Sequence, residues 1–245
     1  MDHELRVIDD AAGVAKTAAD FVSRQAREAL ALKGSFTMAV SGGRSPWAMF
    51  AHLADEDVAW ESVSIWQVDE RIAPAGDPDR NAVGLFDAVR GLPITVHPMP
   101  VDALLDTGPL GAGDGATTDE QLIAAVCANY AESLPERFDL IHLGLGSDGH
   151  TASLVPNDDV LHVTDAAVAV TSNAYQGRRR MTLTYPALGR CEQVLWLVTG
   201  ADKAAPLSAL LTGDAAIPAS PVRAPRSLDV ADRAARGMPT TSKDS

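Results

Sequence analysis

The chain of 245 residues has few cysteines, few aromatic side chains and no long apolar run. Its two cysteines, Cys127 and Cys191, lie far apart without a C-x-x-C pattern, which excludes a disulfide framework and favours a reducing compartment. No stretch approaches the roughly 20 apolar residues of a membrane span, and the acidic start MDHELRVIDD lacks the apolar run of a signal peptide. We therefore expect a cytoplasmic protein with no membrane partner.

Positive charge is also scarce, because 20 Lys and Arg face 33 Asp and Glu, giving a net charge of −13. Such a surface repels nucleic acid, so a nucleic-acid partner is not expected. An anionic small molecule would need a local cluster of Lys and Arg. With 46% hydrophobic and 22% charged residues, the composition predicts one globular domain over 1–240 with a frayed tail at 241–245. We expect a monomer or a small homo-oligomer.

Strand-like and helix-like hydrophobic patterns alternate along the chain, which predicts an α/β fold: three αβα layers around a mainly parallel sheet. The predicted helices are Ala11 to Lys33 and Ala201 to Leu211, and the predicted strands are Ser35 to Val40, Val63 to Val68, Phe138 to Leu145, Ala166 to Val170 and Gln193 to Val198. Ligands of such sheets bind beyond the carboxyl ends of the strands. The loops that begin at Ser41, Asp69 and Gly144 should therefore share one rim.

The loop Ser41-Gly42-Gly43-Arg44-Ser45-Pro46 lies between a predicted strand and a predicted helix start at Pro46. Its glycines could present backbone N–H groups and a helix N-terminus to a phosphate. A tight turn with a serine cap is equally compatible with the pattern. Asp69-Glu70-Arg71 also follows a strand, although such a triplet is more often a solvated turn.

The segment Gly144 to Gly149 matches G-x-G-x-x-G after a strand, but its context does not fit a dinucleotide site. Pro156 comes too early for the required helix, and the next strand, ending at Val170, is not followed by an acidic residue. A nucleophile elbow is excluded because Leu145 stands where G-x-S-x-G needs glycine. We expect no cofactor, and no Cys or His spacing suggests a metal site.

What remains is a glycine-rich loop that presents Asp148 and His150 at a strand end, close enough to act on one small substrate. The other five histidines lack this setting, and His142, inside a predicted strand, is expected to be a structural residue that is either packed or paired. Basic residues recur downstream in Arg178-Arg179-Arg180 and at Lys203, which lies near a helix start. The helix dipole does not stabilise a cation at a helix start, so contact with an anion is a reasonable interpretation of Lys203.

Taken in order, these segments resemble the 6-phosphogluconolactonase family, whose pattern runs S-G-G-x-[TS]-P, D-E-R, G-x-G-x-D-G-H-T-A-S-L-x-P, R-x-T-L-T-x-P and G-x-x-K-A. The matching segments are Ser41 to Pro46, Asp69 to Arg71, Gly144 to Pro156, Arg180 to Pro186 and Gly200 to Ala204. The resemblance implies a fold like that of glucosamine-6-phosphate deaminase. It also implies hydrolysis of 6-phosphogluconolactone, a sugar phosphate lactone of the oxidative pentose-phosphate pathway.

The resemblance implies that His150 activates water, that Arg71 and Asp148 line the reacting end, and that Asp69 is a second candidate catalytic carboxylate. The sequence leaves open which carboxylate matters more. The residues that would hold the substrate phosphate are Ser41, Gly42, Gly43, Arg180 and Lys203.

One departure from the family pattern concerns the loop before Arg180. The family often has a Lys-Pro-Pro-Pro run there, whereas this chain has Tyr175-Gln176-Gly177-Arg178. The lysine of that run is absent, and Arg178 or Arg179 is a candidate to replace it.

Two alternative functions stay open. An amino-sugar or ketose phosphate isomerase or deaminase on the same scaffold would have G-H-I-A-F-N-E-P at 149–156 and D-E-Y in place of Asp69-Glu70-Arg71. A non-catalytic sugar-phosphate sensor is the other alternative, but it would not need the acid–base residues that this chain retains.

Overall fold

The computed structural model describes residues 3–105 and 116–239, so the tail predicted at 241–245 lies outside the described residues. The first half of this part contains strands β1 (His3–Ile8), β2 (Phe36–Val40), β3 (Val63–Gln67), β4 (Asp69–Arg71) and β5 (Thr95–His97), with helices α1 (Ala11–Lys33), α2 (Arg44–Leu53) and α3 (Asn81–Ala88). The second half contains α4 (Ala116–Ser133), α5 (Tyr185–Leu188) and α6 (Ala204–Thr212), with β6 (Leu140–Gly144), β7 (Val168–Val170), β8 (Arg180–Leu183), β9 (Gln193–Val198) and β10 (Arg226–Asp232).

Seven strands form the central sheet in the order β1-β10-β9-β6-β2-β3-β5. Every neighbouring pair in this sheet runs parallel, so the carboxyl ends of all these strands lie at one edge. The four central strands β9, β6, β2 and β3 are short apolar runs that are almost entirely buried. Such runs are typical of parallel strands that are covered on both faces.

Helices cover both faces of the sheet. On one face α1, α2 and α3 pack through side chains such as Val14, Phe50 and Leu85, and on the other α4 and α6 pack through residues such as Tyr130 and Leu207. Helix α1 begins where Asp10 accepts a hydrogen bond from the N–H of Gly13 and ends at Gly34, whose φ of 77° suits glycine. The predicted three-layer α/β arrangement is confirmed.

A second sheet, which the sequence patterns did not predict, is antiparallel and has the order β4-β8-β7. The strand expected from 166 to 170 is β7 of this small sheet. The triplet at 69–71, expected as a loop, is strand β4. Strands of three or four residues give too little alternation to reveal their pairing, and the partner of β4 lies more than 100 residues away.

The chain passes from the parallel sheet to the antiparallel sheet at Val68. Its N–H donates to Val40 at the end of β2, and its carbonyl accepts from Leu183 of β8. The segment predicted as one helix from 201 to 211 is a short 3₁₀ turn, Ala201–Lys203, followed by α6. Pro206 falls in the first turn of α6, where its missing N–H costs no helical hydrogen bond.

Candidate active site

A cleft of about 270 Å³ lies at the carboxyl edge of the central sheet, between the two sheets. Its lining includes residues at or after the ends of four parallel strands: Ser41 follows β2, Asp69 follows β3, Gly144 ends β6 and Lys203 follows β9. The expectation that these loops share one rim is confirmed. The lining residues are Ser41, Gly42, Asp69, Arg71, Asn81, Gly144, Leu145, Gly146, His150, Ala152, Gln176, Arg180 and Lys203.

The loop after β6 positions His150. Within it the N–H of Gly146 donates to the His150 carbonyl at 2.8 Å, and the N–H of Gly149 donates to the Gly146 carbonyl at 3.0 Å. Gly146 needs to be glycine, since a Cβ there would come within 2.1 Å of His150 Nδ1 and 2.6 Å of Asp148 Oδ1. The glycines of this motif therefore make room for the imidazole and its carboxylate partner.

Asp148 contacts the imidazole directly, with Oδ1 2.5 Å from His150 Nδ1. Its other oxygen, Oδ2, accepts a hydrogen bond of 2.8 Å from the Tyr175 hydroxyl. Partial burial works to raise the pKa of the Asp148 carboxyl, but the hydrogen bonds from His150 and Tyr175 and the charge of His150 outweigh it, so the pKa lies below its ordinary value. An ionised Asp148 can only accept, so Nδ1 carries a proton, and in the neutral form of the imidazole Nε2 then keeps its lone pair.

The triplet Asp69-Glu70-Arg71 is divided by the alternation of strand β4. Asp69 and Arg71 lie on one face of the strand and line the cleft, opposite Thr182 and Arg180 of β8. Glu70 is fully buried and accepts hydrogen bonds from the N–H groups of Asn81 and Ala82, the first two residues of α3. Glu70 therefore stabilises the helix N-terminus, and its neighbours are the residues that can meet a ligand.

Arg71 is fixed within the cleft by its own neighbours. Its Nη1 donates to the Asp79 carbonyl at 2.7 Å and to Asn81 Oδ1 at 3.0 Å. Asn81 packs on Gly42 so closely that a Cβ at Gly42 would lie 2.0 Å from Asn81 Oδ1. Gly42 thus makes room for Asn81, which in turn orients the Arg71 guanidinium.

Asp69 does not pair with His150 in this arrangement. Its Oδ2 accepts a hydrogen bond of 2.7 Å from the Ser153 hydroxyl, and its backbone carbonyl accepts one from Asn81. Of the two candidate carboxylates, Asp148 is therefore the one that contacts the imidazole, and Asp69 stands on the cleft wall.

Arg180 lies across from Arg71 on the neighbouring strand and is only 4% exposed. Burial lowers the pKa of its guanidinium, and the charge of Asp69 opposes that effect. Its Nη2 donates to Gln176 Oε1 at 3.0 Å, while its Nε is buried without a hydrogen-bond partner among the described residues. Lys203 lies at the start of α6 and pairs with Asp202 at 2.9 Å.

Two of the predicted site residues do not line the cleft itself. Asp148 stands behind His150, and Gly43, the residue before α2, has a φ of 129° and lines an adjoining cavity of about 650 Å³. The two cavities share Gly42 and Lys203, so the candidate phosphate residues span both.

The two arginines considered as substitutes for the family lysine do not line the cleft. Arg178 pairs with Asp77 and Asp79, and Arg179 donates to the Thr171 carbonyl. The same loop instead brings Tyr175 against Asp148 and Gln176 into the cleft. Neither residue belongs to a periodic or spacing pattern in the sequence. Only the departure from the family pattern at these positions marked the loop.

Within residues 3–105 and 116–239, no three His, Cys, Asp or Glu side chains form a group that could hold a metal ion. No helix in that part of the chain has the length and apolar character needed to cross a bilayer. His142 is fully buried on β6, as expected for a packed residue.

Residues 9–231, which include every candidate site residue, match the family model described as glucosamine-6-phosphate isomerases/6-phosphogluconolactonase. The chain belongs to this family. It is 35% identical over 186 residues to the 6-phosphogluconolactonase of Synechocystis sp., an alignment that covers 74% of each protein. This result confirms the family that the sequence motifs indicated.

Solved structures agree on the fold. The 6-phosphogluconolactonase of Thermotoga maritima superposes with a TM-score of 0.78 at 24% identity, covering 94% of this chain and all of the other. A monomeric glucosamine-6-phosphate deaminase superposes with a TM-score of 0.74 at 16% identity, covering 98% and 100%. The expected similarity to the deaminase fold is confirmed, and because both enzymes share it, fold alone does not separate their activities.

Proposed function

We propose that this protein hydrolyses 6-phospho-D-glucono-1,5-lactone to 6-phosphogluconate, with His150 as general base. The observation that best supports the proposal is the 2.5 Å contact between His150 Nδ1 and Asp148 Oδ1 in a cleft that also contains Arg71, Arg180 and Lys203. In the neutral imidazole this contact places the proton on Nδ1 and leaves Nε2 free to accept one from water, and the three cations suit an anionic substrate.

The reaction follows from these groups. Nε2 of His150 takes a proton from water as its oxygen attacks the ring carbonyl, and the negative charge that collects on the carbonyl oxygen faces Arg71. Collapse of the tetrahedral intermediate breaks the bond between the carbonyl carbon and the ring oxygen. The imidazolium then returns the proton to that oxygen, which leaves a hydroxyl group and a carboxylic acid. The acid loses its proton to solvent and becomes the carboxylate. General-base help of this kind typically contributes roughly 10²–10⁴ in rate.

Phosphate recognition is assigned to the backbone and side-chain donors around the start of α2, together with two cations. Ser41 and the N–H groups of Gly42 and Gly43 lie at the start of α2, where backbone donors favour an anion. Arg180 and Lys203 add positive charge. Binding the phosphate here would fix the position of the lactone carbonyl relative to His150, and such positioning of the reacting groups lowers the activation barrier.

The test is lactone hydrolysis by the purified protein, measured as acid release above the spontaneous rate. Wild type should hydrolyse the phosphorylated lactone and should not release ammonia from glucosamine 6-phosphate. His150→Asn should lose most turnover and keep its affinity for substrate. A wild-type rate in His150→Asn would remove the assigned base, and ammonia release without lactone hydrolysis would favour the deaminase.

We also propose that the protein acts in the cytoplasm, without a nucleic-acid, membrane or cofactor partner, as a monomer or small homo-oligomer. Its cysteines, Cys127 and Cys191, are free and buried, and burial raises the pKa of the Cys127 thiol to about 11, so both suit a reducing compartment. Cell fractionation and light scattering test the location and the oligomeric state. Activity that a chelator abolishes and a metal restores would contradict the metal-free mechanism.

A further inference from the structure

The loop before β8 makes a tight hairpin turn at Tyr175–Arg178. The N–H of Tyr175 donates to the Arg178 carbonyl at 2.9 Å, and the two central residues, Gln176 and Gly177, have φ angles of 53° and 82°. Positive φ at both central positions is typical of a type I′ turn. Arg178 anchors the turn through its ion pairs with Asp77 and Asp79. The turn is therefore a fixed platform beside the cleft.

Tyr175 projects from this platform onto two functional groups. Its hydroxyl donates to Asp148 Oδ2 at 2.8 Å and lies 3.4 Å from His150 Nδ1. Its ring meets the imidazole edge to face, with centroids 5.2 Å apart. On its other side the Arg180 guanidinium lies 5.0 Å from the ring centroid. One side chain thus contacts both the base and a candidate phosphate ligand.

We propose that Tyr175 is a positioning residue that holds the Asp148–His150 pair in its productive orientation and links that orientation to Arg180. This proposal rests on the proposed function, in which His150 is the base. It adds a residue that stands where the family pattern has a different loop.

The need for such a residue follows from the exposure of the pair. The side chains of Asp148 and His150 are 34% and 21% exposed, so packing alone does not fix the carboxylate. With Oδ1 on His150 and Oδ2 on Tyr175, both oxygens are engaged and rotation of the carboxylate breaks a hydrogen bond. The carboxylate then holds the Nδ1–H tautomer of His150, the form that leaves Nε2 available to water.

The link to Arg180 gives the arrangement a second consequence. A guanidinium over a tyrosine ring is held by cation–π attraction. When a phosphate fixes Arg180, the ring beneath it is also fixed, and through its hydroxyl so is Asp148. Phosphate binding at Arg180 would therefore also order the base, His150.

The decisive variant is Tyr175→Phe, which removes the hydroxyl and keeps the ring over Arg180. We expect kcat for the phosphorylated lactone to fall about tenfold, because a hydrogen bond to a charged acceptor is lost, while KM changes less than about twofold. Tyr175→Leu also removes the ring, so KM should rise a further two- to fivefold, roughly the effect of losing a partly solvated cation–π contact. The matched control is Tyr185→Phe, which removes a tyrosine hydrogen bond of 2.7 Å to the Pro218 carbonyl and should leave both constants unchanged.

A double-mutant cycle separates positioning from general destabilisation. In an Asp148→Asn background the hydroxyl has no carboxylate to hold, so Tyr175→Phe should cost less than about twofold there. Additive losses in the cycle, an unchanged kcat in Tyr175→Phe, or an equal loss in Tyr185→Phe would each overturn the proposal.

A measurement without turnover distinguishes this proposal from the proposed function. In ¹⁵N-histidine spectra, the His150 signal, assigned by its loss in His150→Asn, should show the Nδ1–H tautomer in wild type and a mixture of tautomers in Tyr175→Phe. If wild type fails to hydrolyse the lactone but the tautomer still depends on Tyr175, the proposed function fails and the positioning role stands. If hydrolysis is intact and the tautomer does not change, Tyr175 is not a positioning residue.

Discussion

Replacing Arg180 with alanine should impair the phosphorylated lactone selectively. The guanidinium is buried, its Nη2 is held by Gln176, and its Nε has no partner among the residues that the structure describes. A phosphate would supply that partner, and a hydrogen bond between charged groups contributes about 1.5–3 kcal/mol. A loss of about 1.5–3 kcal/mol corresponds to roughly 13- to 160-fold in kcat/KM. Lys203→Ala should show the same selectivity.

The assay compares kcat/KM for 6-phosphogluconolactone and for gluconolactone without its phosphate. On the plain lactone Arg180→Ala should lose less than about fivefold, the share that comes from its contact with the Tyr175 ring. Arg90→Ala is the control, because it makes the same change in net charge at a side chain that is 80% exposed, outside the cleft. Equal losses on both substrates, or a matching loss in Arg90→Ala, would refute the assignment of Arg180 to the phosphate.

Three further predictions test the surroundings of the site. Gly42→Ala should displace Asn81, because the new Cβ would lie 2.0 Å from its Oδ1, and kcat should fall while KM for the plain lactone stays unchanged. Asp148→Asn should lower kcat by roughly 10²–10⁴-fold, because the imidazole then adopts the wrong tautomer. Asp69→Asn should lower kcat by less, and a larger loss in Asp69→Asn in steady-state kinetics would show that Asp69 holds the base instead. Burial lowers the pKa of His142 from 6.5 to about 3. Between these two pH values the unfolded chain binds a proton at this residue and the folded chain does not, so stability should fall as pH drops from 6.5 towards 3. The loss should be roughly 2 kcal/mol at pH 5, and urea titrations at pH 7.5 and 5 should show it in wild type but not in His142→Leu.

The sequence was sufficient to predict the parallel half of the site. Buried apolar runs such as 36–40 and 140–144 mark central strands, and polar or glycine residues after them mark the rim where a ligand binds. His150 could be found because a histidine directly after a glycine-rich loop at a strand end has few structural reasons to be there. These inferences depend only on residues that are close in sequence.

The antiparallel half could not be predicted in the same way. The pairing of Arg71 with Arg180 joins residues more than 100 positions apart, in strands of three and four residues that show no usable period. The division of Asp69-Glu70-Arg71 into two cleft residues and one helix cap depends on β4 being a strand. Tyr175 reaches Asp148 only because a type I′ turn fixes its direction, and that geometry has no counterpart in hydrophobic patterning.

The two sheets contribute different kinds of groups to the cleft, and the difference explains how an acidic protein can take an anionic substrate. The edge of the parallel sheet supplies backbone N–H groups, the imidazole and one lysine, whereas the antiparallel sheet supplies Arg71 and Arg180 on neighbouring strands. Two arginines at paired positions repel each other, and burial adds to the cost, as the lowered pKa of Arg180 indicates. The fold keeps them together through Asn81 and Gln176, which accept hydrogen bonds from their N–H groups, and a bound phosphate would relieve the repulsion.

At a net charge of −13 the surface attracts no anion from a distance. Raising the salt concentration should therefore not slow substrate association, as it would for a protein that steers its ligand electrostatically. A kcat/KM that falls steeply with salt would show that the positive field of the cleft extends beyond the acidic surface, contrary to this account.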